Sequence, residues 1–137
     1  MKLYVLENDL LKVTFLDVGA SIYSFSVKAL DNRNIVLTTK DKNIYKEPPK
    51  NAYFGATVGR VGGRIANGEF IIDGKKYQAA QNEKVTNSLH GGFESYAAKL
   101  FEVVEEKEDY ITFRYVSRDG EGGYPGELEL YVKYTLL

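Results

Sequence analysis

His90 is the only histidine in the 137 residues, and cysteine is absent. Those two counts narrow the available chemistry. Thiolate catalysis, disulfides and cysteine-based metal sites are excluded. One histidine without cysteine also makes a poor source of metal ligands. Hydrogen bonding and acid–base work by an imidazole and by carboxylates remain. His90 stands in Asn87-Ser88-Leu89-His90-Gly91-Gly92. The glycines that follow it clear side chains from its vicinity and let a ligand approach the backbone. Asn87 and Ser88 add hydrogen-bonding groups. A lone histidine is more often structural than catalytic, but a neutral imidazole in this setting also suits a sugar hydroxyl.

A second stretch with chemical potential is Gly59-Arg60-Val61-Gly62-Gly63-Arg64-Ile65-Ala66-Asn67-Gly68. Its glycine pattern is neither that of a P-loop nor that of a dinucleotide fold, and no α/β context surrounds it. Spacing alone favours a sharply bent or bulged strand pair. The functional alternative puts Arg64 in a pocket, where its planar fork binds two neighbouring oxygens. A third stretch, Gly120-Glu121-Gly122-Gly123-Tyr124-Pro125-Gly126, is turn-rich. Tyr124 there either packs or stacks on a sugar face. The 19 carboxylates include no pair whose spacing marks an acid–base couple.

Strands must position these residues. Leu11, Val13 and Phe15 share one face of a strand, with Lys12 and Thr14 on the other. Ile22 to Val27 reads as another, entered through Gly19-Ala20. Phe70-Ile71-Ile72 and Lys75-Lys76-Tyr77 flank Asp73-Gly74, the signature of a two-residue hairpin turn. Leu100 to Glu106 and Tyr110 to Ser117 form a second hairpin-like pair, with Ile111, Phe113 and Tyr115 expected on one face and Thr112 and Arg114 on the other. Leu128, Leu130, Val132, Tyr134 and Leu136 alternate with polar neighbours, as in a half-buried antiparallel strand. Thr39 to Asn51 is polar, holds Pro48-Pro49, and reads as an exposed loop. No segment has the period and caps of an amphipathic helix; Ser95 to Lys99 holds a helical turn at most. The fold class is all-β, and the strand spacing predicts an antiparallel β-sandwich.

Composition agrees with one soluble domain. Hydrophobic residues make up 44% and charged residues 27%. A net charge of −1, with scattered basic residues, gives no electrostatic case for nucleic acid or an anionic membrane. No apolar run reaches the length of a membrane span, and the first residues lack a signal-peptide core. These features predict a cytoplasmic protein.

Together the motifs resemble the aldose 1-epimerase (galactose mutarotase) family. Tyr53-Phe54-Gly55-Ala56-Thr57-Val58-Gly59-Arg60-Val61 leads into Arg64-Ile65-Ala66-Asn67-Gly68, then Asp73-Gly74-Lys75-Lys76-Tyr77. Asn87-Ser88-Leu89-His90-Gly91-Gly92 follows, and then Asp119-Gly120-Glu121-Gly122-Gly123-Tyr124-Pro125-Gly126. The resemblance spans essentially all 137 residues and corresponds to the family's N-terminal part. It implies a mutarotase-like sandwich of which residues 1–137 are the N-terminal part of a single domain. It implies that Arg64 and His90 contact substrate, that His90 helps polarise the reacting end, and that the ligand is a free aldohexose such as galactose or glucose. It implies no metal or organic cofactor. The family's principal acid is a second histidine and its base a glutamate, both later in the chain, and this sequence has one histidine. Gly63 also replaces the Asn that usually precedes the family arginine, which removes an amide from the site.

These points predict an isomerase family member whose 137 residues alone turn over weakly or not at all. The final strand runs to Leu137 without a turn or polar tail, which predicts further sequence and, without it, self-association through an uncovered face. The alternatives are a non-catalytic carbohydrate-binding module and an inactive fragment.

Overall fold

A computed structural model describes residues 1–137, apart from the side chains of Pro49 and Asn51. Eleven strands follow one another: β1 (Leu3–Glu7), β2 (Leu11–Leu16), β3 (Ser21–Val27), β4 (Arg33–Asn34), β5 (Arg64–Ile65) and β6 (Glu69–Ile72), then β7 (Lys75–Gln78), β8 (Ser88–Leu89), β9 (Glu102–Glu106), β10 (Tyr110–Ser117) and β11 (Leu128–Thr135). Every pair with a defined register is antiparallel. Helical structure among the described residues is confined to short 3-10 turns. The fold is all-β, as the alternating patterns predict. No described helix is long and apolar enough to cross a membrane.

The chain forms two compact units. The first comprises Met1–Thr57, Ala97–Tyr115 and Leu130–Leu137. Here β1-β2-β3-β4 make a meander, and β11-β10-β9 a second sheet. Val13 and Phe15 of β2 point inward, Lys12 outward, as the period of two requires. Phe15 stacks on Tyr134 with centroids 4.6 Å apart, and Tyr4 meets the edge of Phe113 at 5.8 Å. Such aromatic pairs add about 0.5–1.5 kcal/mol each beyond area burial. They are the seam between the two sheets of this unit.

One strand of this unit is buried more evenly than its alternation suggests, and one local expectation is corrected. Ile111, Thr112 and Phe113 are all buried, so both faces of β10 are covered there. A bulge between Thr112 and Phe113 resets the pairing, from Thr112 opposite Glu105 to Phe113 opposite Val103. The stretch 39–51 is not simply an exposed loop. It folds into two 3-10 turns, Lys42–Lys46 and Pro48–Asn51. Tyr45 is 1% exposed and packs with Leu16 and Val18, with Tyr23 and Phe54 at the margin. That burial fastens an otherwise polar segment.

The second unit comprises Val58–Tyr96 and Val116–Glu129. The Asp73-Gly74 hairpin forms as read, with Ile72 opposite Lys75 and positive φ at both turn residues, +49° and +76°. Phe70 stacks on Tyr77 at 5.6 Å and on Tyr124 at 5.3 Å. The short β5–β8 ribbon completes this unit.

Candidate functional site

Both candidate residues sit on the β5–β8 ribbon of the second unit. Arg64 pairs with Leu89, and Ile65 with Ser88. One step beyond, Gly63 and His90 continue the ribbon in an unusual way. The His90 N–H donates to the Gly63 carbonyl at 2.9 Å. The Gly63 N–H donates to the imidazole Nδ1 of His90 at 3.0 Å. A side-chain nitrogen has taken the place of a backbone acceptor, because His90 has left strand geometry with a φ of +52°. A non-glycine residue there is uncommon and persists only when its surroundings determine it.

Those surroundings are visible. Gly91 follows at φ +91°, and a Cβ on it would lie 1.7 Å from the Gly59 carbonyl oxygen. Only glycine allows the two backbones to come that close. Asn82 brackets the strand residue before His90: its amide donates to the Leu89 carbonyl at 3.1 Å and its oxygen accepts from the Leu89 N–H at 2.7 Å.

Arg64 is held from one side. Its Nε lies 3.5 Å from Glu83 Oε2, with side-chain exposures of 59% for the arginine and 14% for the glutamate. Asn87 donates to the same carboxylate oxygen at 3.1 Å, and Glu83 and Asn87 exchange backbone hydrogen bonds at 2.9 and 3.0 Å. The Asn87 amide hydrogen bond holds the Glu83 carboxyl below its ordinary value, against burial, with help from the charges of Arg64 and Lys84. Glu83 stays ionised and fixes the inner nitrogen of a guanidinium whose outer part faces solvent.

Arg60 has a different task. It donates from Nε to Ser117 Oγ at 3.1 Å, from Nη1 to the Pro125 carbonyl at 2.8 Å, and from Nη2 to the carbonyls of Ser117 and Arg118 at 3.1 and 2.9 Å. Four of its five N–H donors fasten the glycine-rich loop to the 117–126 turn. Tyr124 of that turn is 5% exposed and stacks on Phe70, so it packs and offers no face to a ligand. Burial raises its hydroxyl's pKa, while Ser88 and Arg60 oppose the rise. The Ser88 and Tyr124 hydroxyls are both buried and near one another, yet neither makes a hydrogen bond of good geometry.

The structure thus places Arg64 and His90 at neighbouring ribbon positions. Glu83, Asn82 and Arg60, which the sequence did not single out, hold the surrounding frame. A cavity of about 530 Å³ elsewhere, lined by Glu7, Asp9, Lys28, Glu108 and Asp109 among others, includes neither candidate. Among the described residues no group of His, Asp and Glu is placed to hold a metal ion.

The sequence profile of the aldose 1-epimerase family matches residues 2–137. The chain belongs to the aldose 1-epimerase family. It is 41% identical to human galactose mutarotase over 135 residues, covering 97% of this chain and 38% of that protein. It is 34% identical to the aldose 1-epimerase of Haemophilus influenzae over 137 residues, 98% of this chain and 39% of that one. Among solved structures, the GalM/aldose epimerase homologue from Caenorhabditis elegans superposes with a TM-score of 0.88 at 28% identity, covering 98% of this chain and 42% of that one. Galactose 1-epimerase from Lactobacillus acidophilus gives 0.78 at 26% identity, covering 95% and 38%. This family member therefore has a galactose mutarotase-like fold and spans about two-fifths of the length of those relatives.

Proposed function

We propose that the β5–β8 ribbon carries the substrate-binding part of an aldose 1-epimerase site, and that its ligand is a free aldohexose such as galactose or glucose. One observation carries this reading. Arg64 and His90 occupy neighbouring positions of the ribbon, with Arg64 Nε beside the Glu83 carboxylate and His90 Nδ1 accepting from the Gly63 N–H. An arginine fork and an imidazole at neighbouring positions are hydrogen-bonding groups of the kind that suit the closely spaced oxygens of a sugar.

Interconversion of anomers needs a base to take the proton from the C1 hydroxyl and an acid to protonate the ring oxygen. The bond from C1 to the ring oxygen breaks, the aldehyde turns, and the hydroxyl closes on its other face. Two positioned groups are required. In this reading residues 1–137 are part of one mutarotase-like domain, bind the sugar, and on their own turn it over weakly or not at all. The chain is a cytoplasmic protein by the same reading, and self-association accompanies the exposed strand residues Leu3, Val5, Leu128 and Tyr131.

Polarimetry tests the catalytic half. With fresh α-D-glucose or α-D-galactose, the 137-residue chain is expected to leave the drift in rotation at the buffer rate. Acceleration that disappears in His90→Ala would show that acid and base both lie within these residues.

A further inference from the structure

Arg64 carries its charge on a long side chain that is mostly exposed. An exposed arginine samples many rotamers, and a ligand that needs one of them must overcome the entropy of the rest. The residue before it gives no support. Gly63 has no side chain, and no atom lies within 4 Å of where its Cβ would stand. What steadies the guanidinium comes instead from the turn at 83–87.

Glu83 opens that turn. Its Oε2 is 3.5 Å from Arg64 Nε and accepts a hydrogen bond from the Asn87 side-chain amide at 3.1 Å. Asn87 Oδ1 accepts in turn from the backbone N–H of Asn67 at 3.3 Å. The contacts therefore close on themselves: Arg64 and Asn67 belong to β5 and the 3-10 turn after it, Glu83 and Asn87 to the two ends of the 83–87 turn. Glu83 and Asn87 also exchange backbone hydrogen bonds. The carboxylate is thus oriented by Asn87 and by backbone, without needing Arg64 to hold it. The turn keeps this arrangement against local preference. Lys84 and Val85 have φ of +49° and +69°. A β-branched residue rarely adopts left-handed backbone, and Val85 is 88% exposed, so burial of its own side chain does not offset the strain. Strain of this kind persists where the surrounding structure determines it, and it clusters at ligand-binding positions.

We propose that Glu83 is a positioning residue for the hexose site, holding Arg64 through Nε so that the guanidinium meets sugar oxygens in one orientation. The inference rests on the hexose-site reading for its ligand, and on the Glu83–Asn87–Asn67 network alone for the hold on Arg64. A guanidinium is planar and its donors diverge in a fixed fork, so restraining one nitrogen restrains the directions of all three. Glu83 acts through Arg64 and touches no substrate itself.

The test compares Glu83→Gln with the wild type in two measurements. Glutamine keeps the side-chain length and an oxygen that accepts from Asn87, but has no charge for Arg64. The turn is kept and the hold on the arginine is removed. Calorimetric titration with D-galactose is expected to show an affinity about two- to tenfold weaker in Glu83→Gln, the range that follows from freeing one rotamer-rich side chain, with the wild-type circular dichroism spectrum retained. In ¹⁵N NMR of the arginine Nε–H groups, the Arg64 signal is identified by its loss in Arg64→Lys. It is expected to be ordered and slow to exchange with water in the wild type, and mobile and fast to exchange in Glu83→Gln. A merely structural role for Glu83 would lower the unfolding midpoint and move neither readout. Equal affinity in the two proteins overturns the proposal, as does an Arg64 Nε–H equally ordered or equally mobile in both. If the folded wild type binds neither D-galactose nor D-glucose, the hexose reading fails and the role at a sugar falls with it, while the Nε–H comparison still decides whether Glu83 holds Arg64.

Discussion

Gly91→Ala should be the most damaging small substitution near the candidate site, and its cost can be divided. The residue has a φ of +91°, and a Cβ would lie 1.7 Å from the Gly59 carbonyl oxygen, 2.4 Å from its carbon and 2.9 Å from the Arg60 nitrogen. All three are backbone atoms, so no rotamer change relieves the overlap. The left-handed backbone alone costs an alanine about 1–2 kcal/mol. Forced backbone displacement in a packed region adds about 1–3 kcal/mol. The expected loss is about 2–5 kcal/mol. Gly63→Ala supplies the control: φ is +80°, but nothing lies within 4 Å of its Cβ. It should lose only about 1–2 kcal/mol. The assay is urea unfolding followed by tyrosine fluorescence and circular dichroism, since the chain has 11 Tyr and no Trp. If the two variants agree within about 0.5 kcal/mol, the close approach of Gly91 to Gly59 is refuted as a determinant of this turn.

Three further outcomes are expected. Glu83 has a folded pKa below its ordinary 4.5, so its stabilising contribution is present above that value and is lost as pH falls through the lower folded pKa. Glu83→Gln should therefore flatten the acid side of a plot of urea midpoint against pH and leave the slope near neutrality unchanged. Arg60→Met removes four hydrogen bonds and strands their carbonyl partners; a loss of about 3 kcal/mol is expected in urea unfolding, and Arg60→Lys should recover only part of it because an ammonium lacks the fork. Tyr45→Ala should cost about 3–5 kcal/mol in thermal or urea unfolding, as for a large core truncation, whereas a merely exposed loop at 39–51 would show almost none.

What was legible in the sequence was local. Asp73-Gly74 announced its hairpin because a two-residue turn needs left-handed backbone at two adjacent positions, and this pair tolerates it. The alternation from Leu128 to Leu136 marked a strand because side chains change face at every residue. Arg64 and His90 stood out through motif order, and the ribbon places them at neighbouring positions. What stayed hidden depends on distant partners. Arg60 meets Ser117 and Pro125 across 57 and 65 residues, and nothing in Gly59-Arg60-Val61 distinguishes a clamp from a ligand-binding arginine. Glu83 meets Arg64 through the pairing of β5 with β8 and carries no spacing signature of its own. The bulge opposite Thr112 and Phe113 skips Val104 of β9, and no glycine signals it. Tyr45 is buried because a groove beside Leu16 and Val18 receives it, while its neighbours in sequence are polar.

The central claim is that Arg64 and His90 form one hexose-binding site, and calorimetric titration with D-galactose and D-glucose tests it most directly. The account predicts saturable binding of at least one hexose by the wild-type chain, lost in both Arg64→Ala and His90→Ala when each variant keeps the wild-type circular dichroism spectrum. Binding that survives both substitutions, or no binding of either sugar by a folded wild-type chain, would contradict it.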